Sequence, residues 1–277
     1  MTPEQFFSPD PDSRIEPAEF LSYLLPQYGA DAAAVDLRSA ALLTFIPALQ
    51  RRLLRHLDMP LPQPQPIARQ PWYNPEGRSF STLSSPVGAP VAAMLLEQLI
   101  ALGARRFLYL GFCGALDPTL AIGDLLLPLR AVREEGTSYH YLPAGEEPQA
   151  APSIVTLLRQ EAARRNLDVR EGPLWTTDAP FRETPAKIAA FQASGVRAVD
   201  MEMAALFAVA AYRGCEVAAL LVVSDECYHP AWRPGFGAPE LRLGCREAVA
   251  LGLAVADLLG ASPAGPAQAG CGQRQFG

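Results

Sequence analysis

Charged residues are scarce in this chain of 277 residues: they make up 19% of it, and the formal net charge is −6. No run of Lys or Arg interrupts this weakly acidic background, so the basic surface that nucleic-acid binding requires is missing. Hydrophobic residues account for 49%, which is typical of a folded protein with a buried sheet. We therefore expect a globular protein that does not bind nucleic acid.

Several other signals are also missing. The sequence has no GxxxxGK[ST] and no GxGxxG segment, so the phosphate-binding loops of NTPases and dinucleotide-binding domains are absent. Five irregularly spaced cysteines predict a reduced, cytoplasmic protein and not a disulfide scaffold. The opening residues lack the features of a secretory signal. The longest apolar stretch, Ala248–Ala261, contains Asp257 and is too short to span a bilayer, so no membrane partner is expected.

The most informative segment is Ala198–Asp225, which reads AVDMEMAALFAVAAYRGCEVAALLVVSD. Its apolar runs predict a strand at Gly195–Val199, a helix at Met203–Tyr212 and a second strand at Val217–Val223. Gly214 follows the helix, at the position where a left-handed residue commonly ends one. Because all three elements are apolar on nearly every side, we expect them in a parallel sheet covered on both faces.

Three carboxyl groups follow the two strands of this segment. Asp200 and Glu202 come after the first strand, and Asp225 comes after the second. Parallel strands of a βαβ unit end at the same edge of the sheet, where open α/β sheets bind ligands. The pattern therefore predicts that the carboxyl groups meet at a ligand site. The alternative is that Asp200 caps the helix, Glu202 complements its dipole and Asp225 begins a loop.

Two other combinations of reactive side chains are weaker candidates. Cys113 and His140 could act as nucleophile and base, but no third residue that would orient them is evident, and a buried structural cysteine is the alternative. Cys227 and His229 could begin a metal site, but no second pair of ligands follows them. We therefore predict that the protein holds no metal.

Acidic and aromatic residues together describe the expected ligand. Carboxylates accept hydrogen bonds from hydroxyl groups, and aromatic side chains stack on flat rings. The aromatic candidates on loops are Phe181, Tyr228 and Trp232. This combination favours a neutral, polyhydroxylated ligand that carries a flat ring.

The same residues resemble a known family, the nucleoside phosphorylase and nucleosidase superfamily. Its signature region resembles VDMEMAALFAVAAYRGCEVAALLVVSD, and its strand, Gly-x-x-Gly turn and following strand resemble FLYLGFCGALDPTLAIGDLLLP. Its base-side loop resembles TTDAPFRET, and its S-x-G-x-G-x-x-x-A segment resembles SSPVGAPVAAMLLEQLIALGA. The resemblance extends from Ala41 to Leu259.

The predicted fold is a single α/β domain with a central mixed, twisted β-sheet flanked by helices, as the resemblance also implies. We place this domain at residues 36–260. An N-terminal arm is predicted at residues 1–35 and a disordered tail at residues 261–277.

The resemblance implies an enzyme that cleaves the N-ribosidic bond of a nucleoside, with purines favoured by Asp225. It implies that Glu202 and Asp225 are catalytic. The implied ribose-binding residues are Asp200, Met201 and Glu202, and the implied base-binding residues are Phe181, Arg182, Asp225, Cys113 and Gly114. Such cleavage produces an oxocarbenium-like sugar, so a fixed anion on the ribose hydroxyls suits the reaction.

The positions that bind phosphate in phosphorylases differ here. Within the segment PALQRR, Arg52 corresponds to the family's arginine, but Ala48 replaces its phosphate-binding glycine. Tyr109 stands where the family has a second arginine, and Phe112 where it has a small hydroxyl residue. Phosphate binding needs concentrated donors and positive charge, and this sequence lacks most of both at these positions.

Two acceptors of the ribosyl group therefore stay open. One is water; the other is phosphate, bound at Arg52 and Phe112 or by other residues such as Arg182 or Arg233. No cofactor is expected, except phosphate as a co-substrate. The resemblance implies a homo-oligomer, either a dimer or a hexamer. A non-catalytic nucleoside-binding protein is the alternative from another functional class.

Overall fold

A computed structural model describes residues 2, 5–10, 12–28, 35–59 and 72–261. The predicted tail, apart from residue 261, lies outside the described residues, as do parts of the predicted arm and most of the proline-rich segment after residue 59. The boundaries of arm, domain and tail therefore stay predictions.

Within the described residues, seven α-helices and nine strands form the fold. The helices are α1 (Pro17–Leu24), α2 (Pro47–His56), α3 (Ala89–Ala101), α4 (Pro152–Arg164), α5 (Pro185–Ala193), α6 (Met203–Arg213) and α7 (Pro239–Ala261). The strands are β1 (Ala40–Thr44), β2 (Trp72–Tyr73), β3 (Ser81–Ser84), β4 (Arg106–Ala115), β5 (Leu125–Glu134), β6 (Val169–Thr177), β7 (Ala198–Asp200), β8 (Glu216–Glu226) and β9 (Arg233–Pro234). Proline occupies the first turn of helices α1 to α5, where its missing N–H leaves no bond unmade.

The mixed sheet predicted from the sequence is confirmed, and five of its strands close into a ring. Strand β4 pairs with β8, β8 with β5, β5 with β6, β6 with β7, and β7 returns to β4. Strands β1, β3 and β2 extend the sheet from β4, and β9 pairs with the end of β8. The two longest pairings each contain a register shift, and such irregularities bend strands and assist closure.

Helices flank this sheet, as expected. Helix α7 packs on β1, β4 and β8 together with α2 and α4, while α6 packs on β5, β6 and β8 beside α3. The predicted helix at Met203–Tyr212 is confirmed as α6, whose residues Met203 to Ala210 are all buried. Gly214 ends α6 with φ of 64°, the left-handed conformation expected of it.

The predicted Gly-x-x-Gly turn at residues 111–114 is wrong, because β4 continues through Ala115. The glycines instead allow neighbouring side chains to approach the strand closely. A Cβ atom on Gly114 would lie 2.8 Å from Cys227 Sγ and 3.1 Å from Asp225 Oδ2. These glycines therefore make room beside an uninterrupted strand.

The predicted parallel direction of the two strands around α6 is also wrong. Strand β7 runs antiparallel to β4, whereas β8 runs parallel to it, so β7 and β8 run in opposite directions. Apolar composition predicts that a strand is buried but does not fix its direction. The three residues of β7 fit between β4 and β6 and complete the ring.

Helix α7 makes a backbone contact that a side chain would obstruct. A Cβ atom on Gly244 would lie 2.2 Å from Gly123 O and 2.8 Å from a methyl carbon of Val222. We expect Gly244→Ala to lower the free energy of unfolding by about 1–3 kcal/mol because backbone must move to accept the methyl group. Urea denaturation measures this change.

Gly145→Ala is the matched control, because nothing lies within 4 Å of a Cβ atom placed there. We expect it to change stability by no more than about 0.5 kcal/mol. Equal unfolding midpoints for Gly244→Ala and the unsubstituted protein would show that α7 does not approach Gly123 this closely.

Candidate active site

The candidate site is built around the end of β4. Gly114 pairs with Val199 of β7 on one side and with Asp225 of β8 on the other. Burial raises the pKa of the Cys113 thiol well above its usual range, and the charges of Asp200 and Asp225 raise it further. The carboxyl groups predicted to meet therefore flank β4 on both sides, although the strand directions differ from those expected.

Asp200 is 7% exposed and is held by groups of the chain itself. Its Oδ1 accepts from Thr176 Oγ1 at 2.6 Å, and its Oδ2 accepts from the backbone N–H groups of Glu202 and Met203 at 3.0 and 2.8 Å. Burial nevertheless raises the pKa of the Asp200 carboxyl group. Asp200 therefore fixes the start of α6 through its first N–H groups, although it is not itself the N-cap residue that the alternative interpretation made it.

Glu202 is the N-cap residue of α6 and is 6% exposed. Its Oε1 accepts from the backbone N–H of Gly88 at 2.6 Å, which ties the start of α6 to the residue before α3. Burial raises the pKa of Glu202, and the neighbouring charge of Asp200 raises it further. Met201, between the two acids, is half-buried. Hydroxyl donors from a ligand would stabilise the ionised form of this buried pair.

Asp225 lies at the other side of β4 and is half-buried. Its Oδ1 accepts from Ser224 Oγ at 2.6 Å. Its Oδ2 accepts from Trp232 Nε1 at 2.8 Å and from Cys227 Sγ at 3.3 Å. Trp232 is 60% exposed and belongs to the segment between β8 and β9. An exposed indole therefore covers one oxygen of the predicted catalytic carboxyl group.

Glu183 is a further acidic residue at this side of the site, and the sequence interpretation missed it. Its Oε2 lies 3.9 Å from Cys227 Sγ, the same sulfur that contacts Asp225. Burial raises the pKa of Glu183 to about 7, and the charges of Asp225 and Glu134 contribute. The signal was present in the segment TTDAPFRET, whose only glutamate is Glu183.

The two neighbours of Glu183 that were predicted to bind the base have exposed side chains. Phe181 is fully exposed, and Arg182 is exposed beside it on a short 3-10 helix, Pro180–Arg182. Within the described contacts, neither side chain touches Asp200, Glu202 or Asp225. Their roles in base binding stay predictions.

The positions matched to phosphate-binding residues are largely apolar in their surroundings. Tyr109 is fully buried and stacks on Phe45 with ring centroids 5.3 Å apart. Phe112 is half-buried and packs against the core. Arg52 lies on α2, where its charge lowers the raised pKa of Cys245 on α7. The described contacts of these three residues therefore give no concentrated positive charge at the site.

The members of both alternative pairs have different partners in the structure. His140 stacks on Phe6 with ring centroids 5.0 Å apart, while Cys113 lies among the acids and is held as a thiol. His229 Nε2 lies 2.9 Å from Glu226 Oε2, whereas Cys227 contacts Asp225. Among the described residues, no group of three or more His, Cys, Asp or Glu side chains could hold a metal ion.

A cavity of about 780 Å³ is lined by other parts of the chain, and none of Asp200, Glu202 and Asp225 belongs to its wall. Its lining residues come from the N-terminal region, α3, the segment between β5 and α4, and the end of α6, and they also include Asp178 after β6. The cavity is large enough for a nucleoside-sized molecule, but its lining does not include the candidate acids.

Comparison with known proteins shows the family of this chain. The family description Phosphorylase superfamily matches residues 73–236, and the chain belongs to this superfamily. Guanosine phosphorylase of Halorubrum lacusprofundi is 31% identical over 153 residues, which are 54% of this chain and 63% of that protein. Uridine phosphorylase of Thermococcus kodakarensis is 42% identical over 95 residues, 34% of each chain. The chain thus spans less than two thirds of the length of these relatives.

Solved structures show the same fold over most of the chain. Purine nucleoside phosphorylase from Toxoplasma gondii in complex with immucillin-H has a TM-score of 0.73 at 22% identity, covering 83% of this chain and 94% of that one. AMP nucleosidase from Bacteroides thetaiotaomicron has a TM-score of 0.71 at 25% identity, covering 88% and 98%. No helix in the described part of the chain has the length and apolar character to cross a membrane.

The raised pKa of Glu183 has a consequence for stability. A carboxyl group whose pKa rises from 4.5 to about 7 on folding stabilises the fold below pH 4.5, and this contribution is lost as pH rises toward 7. Glu183→Gln removes the titration and resembles the protonated form. We expect its melting temperature, relative to the unsubstituted protein, to rise between pH 5 and pH 8.

Glu76→Gln provides the control, since Glu76 is an exposed glutamate away from this cluster. It removes a carboxyl group outside the cluster, so the rise in relative melting temperature expected for Glu183→Gln should be absent from this variant. Parallel curves for Glu183→Gln and the unsubstituted protein would show that Glu183 is not a desolvated acid.

Proposed function

We propose that this protein cleaves the N-ribosidic bond of a nucleoside, with a purine as the favoured base. The observation that carries the proposal is the buried pair Asp200 and Glu202 on one side of β4, with Asp225 on the other side. This arrangement offers hydrogen-bond acceptors for a sugar and a carboxyl group for a departing base.

Glu202 is the proposed residue for the ribose hydroxyls. One of its oxygens is fixed by the Gly88 N–H, so the carboxyl group is positioned before a ligand arrives. Bond cleavage places positive charge on the sugar, and a fixed anion on the hydroxyls stabilises that charge. We assign Asp200 mainly to positioning, because it already accepts from Thr176 and from two backbone N–H groups. Met201 lies between the two acids.

Asp225 is the proposed residue for the base. A purine presents N7 as an acceptor, so a proton shared between N7 and the Asp225 carboxyl group would make the base a better leaving group. The Trp232 indole N–H now binds the Asp225 oxygen that such a base would approach. Trp232 must therefore move away from Asp225 before a base can bind. The segment between β8 and β9, which carries Trp232, would then act as a lid.

The ribosyl group can be transferred to phosphate or to water, and one observation favours water. Tyr109 and Phe45 form a stacked pair, with Tyr109 fully buried, at a position matched to a phosphate-binding arginine. An aromatic pair cannot neutralise a dianion. The family includes phosphorylases by name, and phosphate remains the other acceptor in this proposal. A homo-oligomer, either a dimer or a hexamer, also remains part of the proposal.

A panel of nucleosides tests this function directly. Adenosine, guanosine, inosine and uridine are incubated with the protein, with and without phosphate, and base release is followed by chromatography. We expect base release from at least one purine nucleoside. Equal rates without phosphate, with free ribose as the second product, would identify water as the acceptor.

Two results of this panel would contradict parts of the proposal. Base release that occurs only when phosphate is present, with ribose 1-phosphate and no free ribose as the second product, would exclude the hydrolytic candidate. No base release from any nucleoside, together with a melting temperature raised by one of them, would identify a non-catalytic binding protein.

A further inference from the structure

We propose that Glu183 selects the base by binding the substituent at position 6 of a purine whose N7 faces Asp225. This inference rests on the proposed cleavage of purine nucleosides and extends it to a second base-binding carboxyl group. In its ionised form Glu183 favours a 6-aminopurine, and in its protonated form it favours a 6-oxopurine.

The first support is that Glu183 and Asp225 converge on one atom. Cys227 Sγ lies 3.3 Å from Asp225 Oδ2 and 3.9 Å from Glu183 Oε2. Cys227 is 8% exposed and packs beside Gly114, so it holds the two carboxyl groups on neighbouring positions at the end of β4. A ligand edge that reaches Asp225 therefore comes close to Glu183.

The second support is that Glu183 sits on a fixed segment. It follows the 3-10 helix Pro180–Arg182 and precedes Thr184, the N-cap of α5, whose Oγ1 accepts from Lys187 N at 3.4 Å. The Thr184 N–H also donates to Arg182 O at 2.9 Å. Glu183 is only half-buried, so its carboxyl group is accessible to a ligand.

The charged groups around Glu183 allow its carboxyl group to gain or lose a proton near neutral pH. Asp225 and Cys227 face it from β8 and the segment that follows, Glu134 from β5 and Lys187 from α5. Lys187 also forms an ion pair with Glu134. Burial and the two carboxylates raise the pKa of Glu183 to about 7, and Lys187 opposes them only partly.

Adenine and the 6-oxopurines differ at position 6 in a way that the Glu183 carboxyl group can distinguish. Adenine presents the N7 acceptor beside an N6 amino donor, whereas 6-oxopurines present N7 beside the O6 acceptor. An ionised carboxylate accepts from the amino group but faces O6 with lone pairs only. A protonated carboxyl group donates to O6. The wrong substrate leaves buried polar groups without hydrogen-bond partners, and this cost is the basis of the discrimination.

The test compares adenosine with inosine across pH. We expect the ratio of kcat/KM for adenosine to that for inosine to rise at least about tenfold between pH 5.5 and pH 8.0 in the unsubstituted protein. Glu183→Gln, whose amide both donates and accepts, should give a ratio that does not change with pH. Glu183→Ala should likewise lose the pH dependence, and Glu76→Gln should retain it.

The outcomes separate this inference from the function on which it rests. A pH-dependent ratio that persists unchanged in Glu183→Gln and Glu183→Ala overturns the role of Glu183 and leaves nucleoside cleavage intact. Base release from uridine and from no purine nucleoside does the same. If no nucleoside releases its base, the proposed function and this inference fall together. Circular dichroism at each pH establishes that both variants are folded.

Discussion

The burial of two adjacent carboxyl groups, Asp200 and Glu202, is the constraint on which the rest of the site depends. Removing two acids from water is costly unless hydrogen bonds compensate. Thr176, Gly88 and the first N–H groups of α6 provide that compensation, and in doing so they fix the start of α6 against β6 and α3. Burial nevertheless raises the pKa values of both carboxyl groups, and these hydrogen bonds offset the rise only in part; no cation is among the pair's described hydrogen-bond partners. Such a pair is suited to ligands that donate hydroxyl groups.

Strand β4 lies between the acids proposed to bind the sugar and the acid proposed to bind the base. Its glycines let Asp225 and Cys227 approach from β8, while β7 brings Asp200 from the other side. The sugar-binding and base-binding sides of the proposed site are therefore separated by the width of a single strand. Glu183 joins the base side through Cys227, although it comes from a different part of the chain.

Local sequence patterns predicted much of this fold, because burial and helix ends leave local signals. The limits of α6, to within one residue, and the left-handed Gly214 could be read from Ala198–Asp225. Asp200 and Asp225 were predicted to follow the strands, but they lie inside β7 and β8. The direction of β7 could not be read from this segment, because its partners β4 and β6 lie far away in sequence. The exposure of Phe181 and the approach of Glu183 to Cys227 likewise depend on tertiary packing. Membership of the superfamily accounts for the fold but does not identify the base, because the similar proteins include a guanosine phosphorylase and a uridine phosphorylase.

The central claim is that Glu202 binds the ribose hydroxyls, and a double-mutant cycle measures this most directly. The best ribonucleoside substrate and its 2′,3′-dideoxy analogue are compared in the unsubstituted protein and in Glu202→Gln. We expect loss of the hydroxyls to lower kcat/KM at least about tenfold more in the unsubstituted protein than in the variant, because the contact exists only there. Equal losses in the two proteins would show that Glu202 does not contact the sugar and would contradict the account.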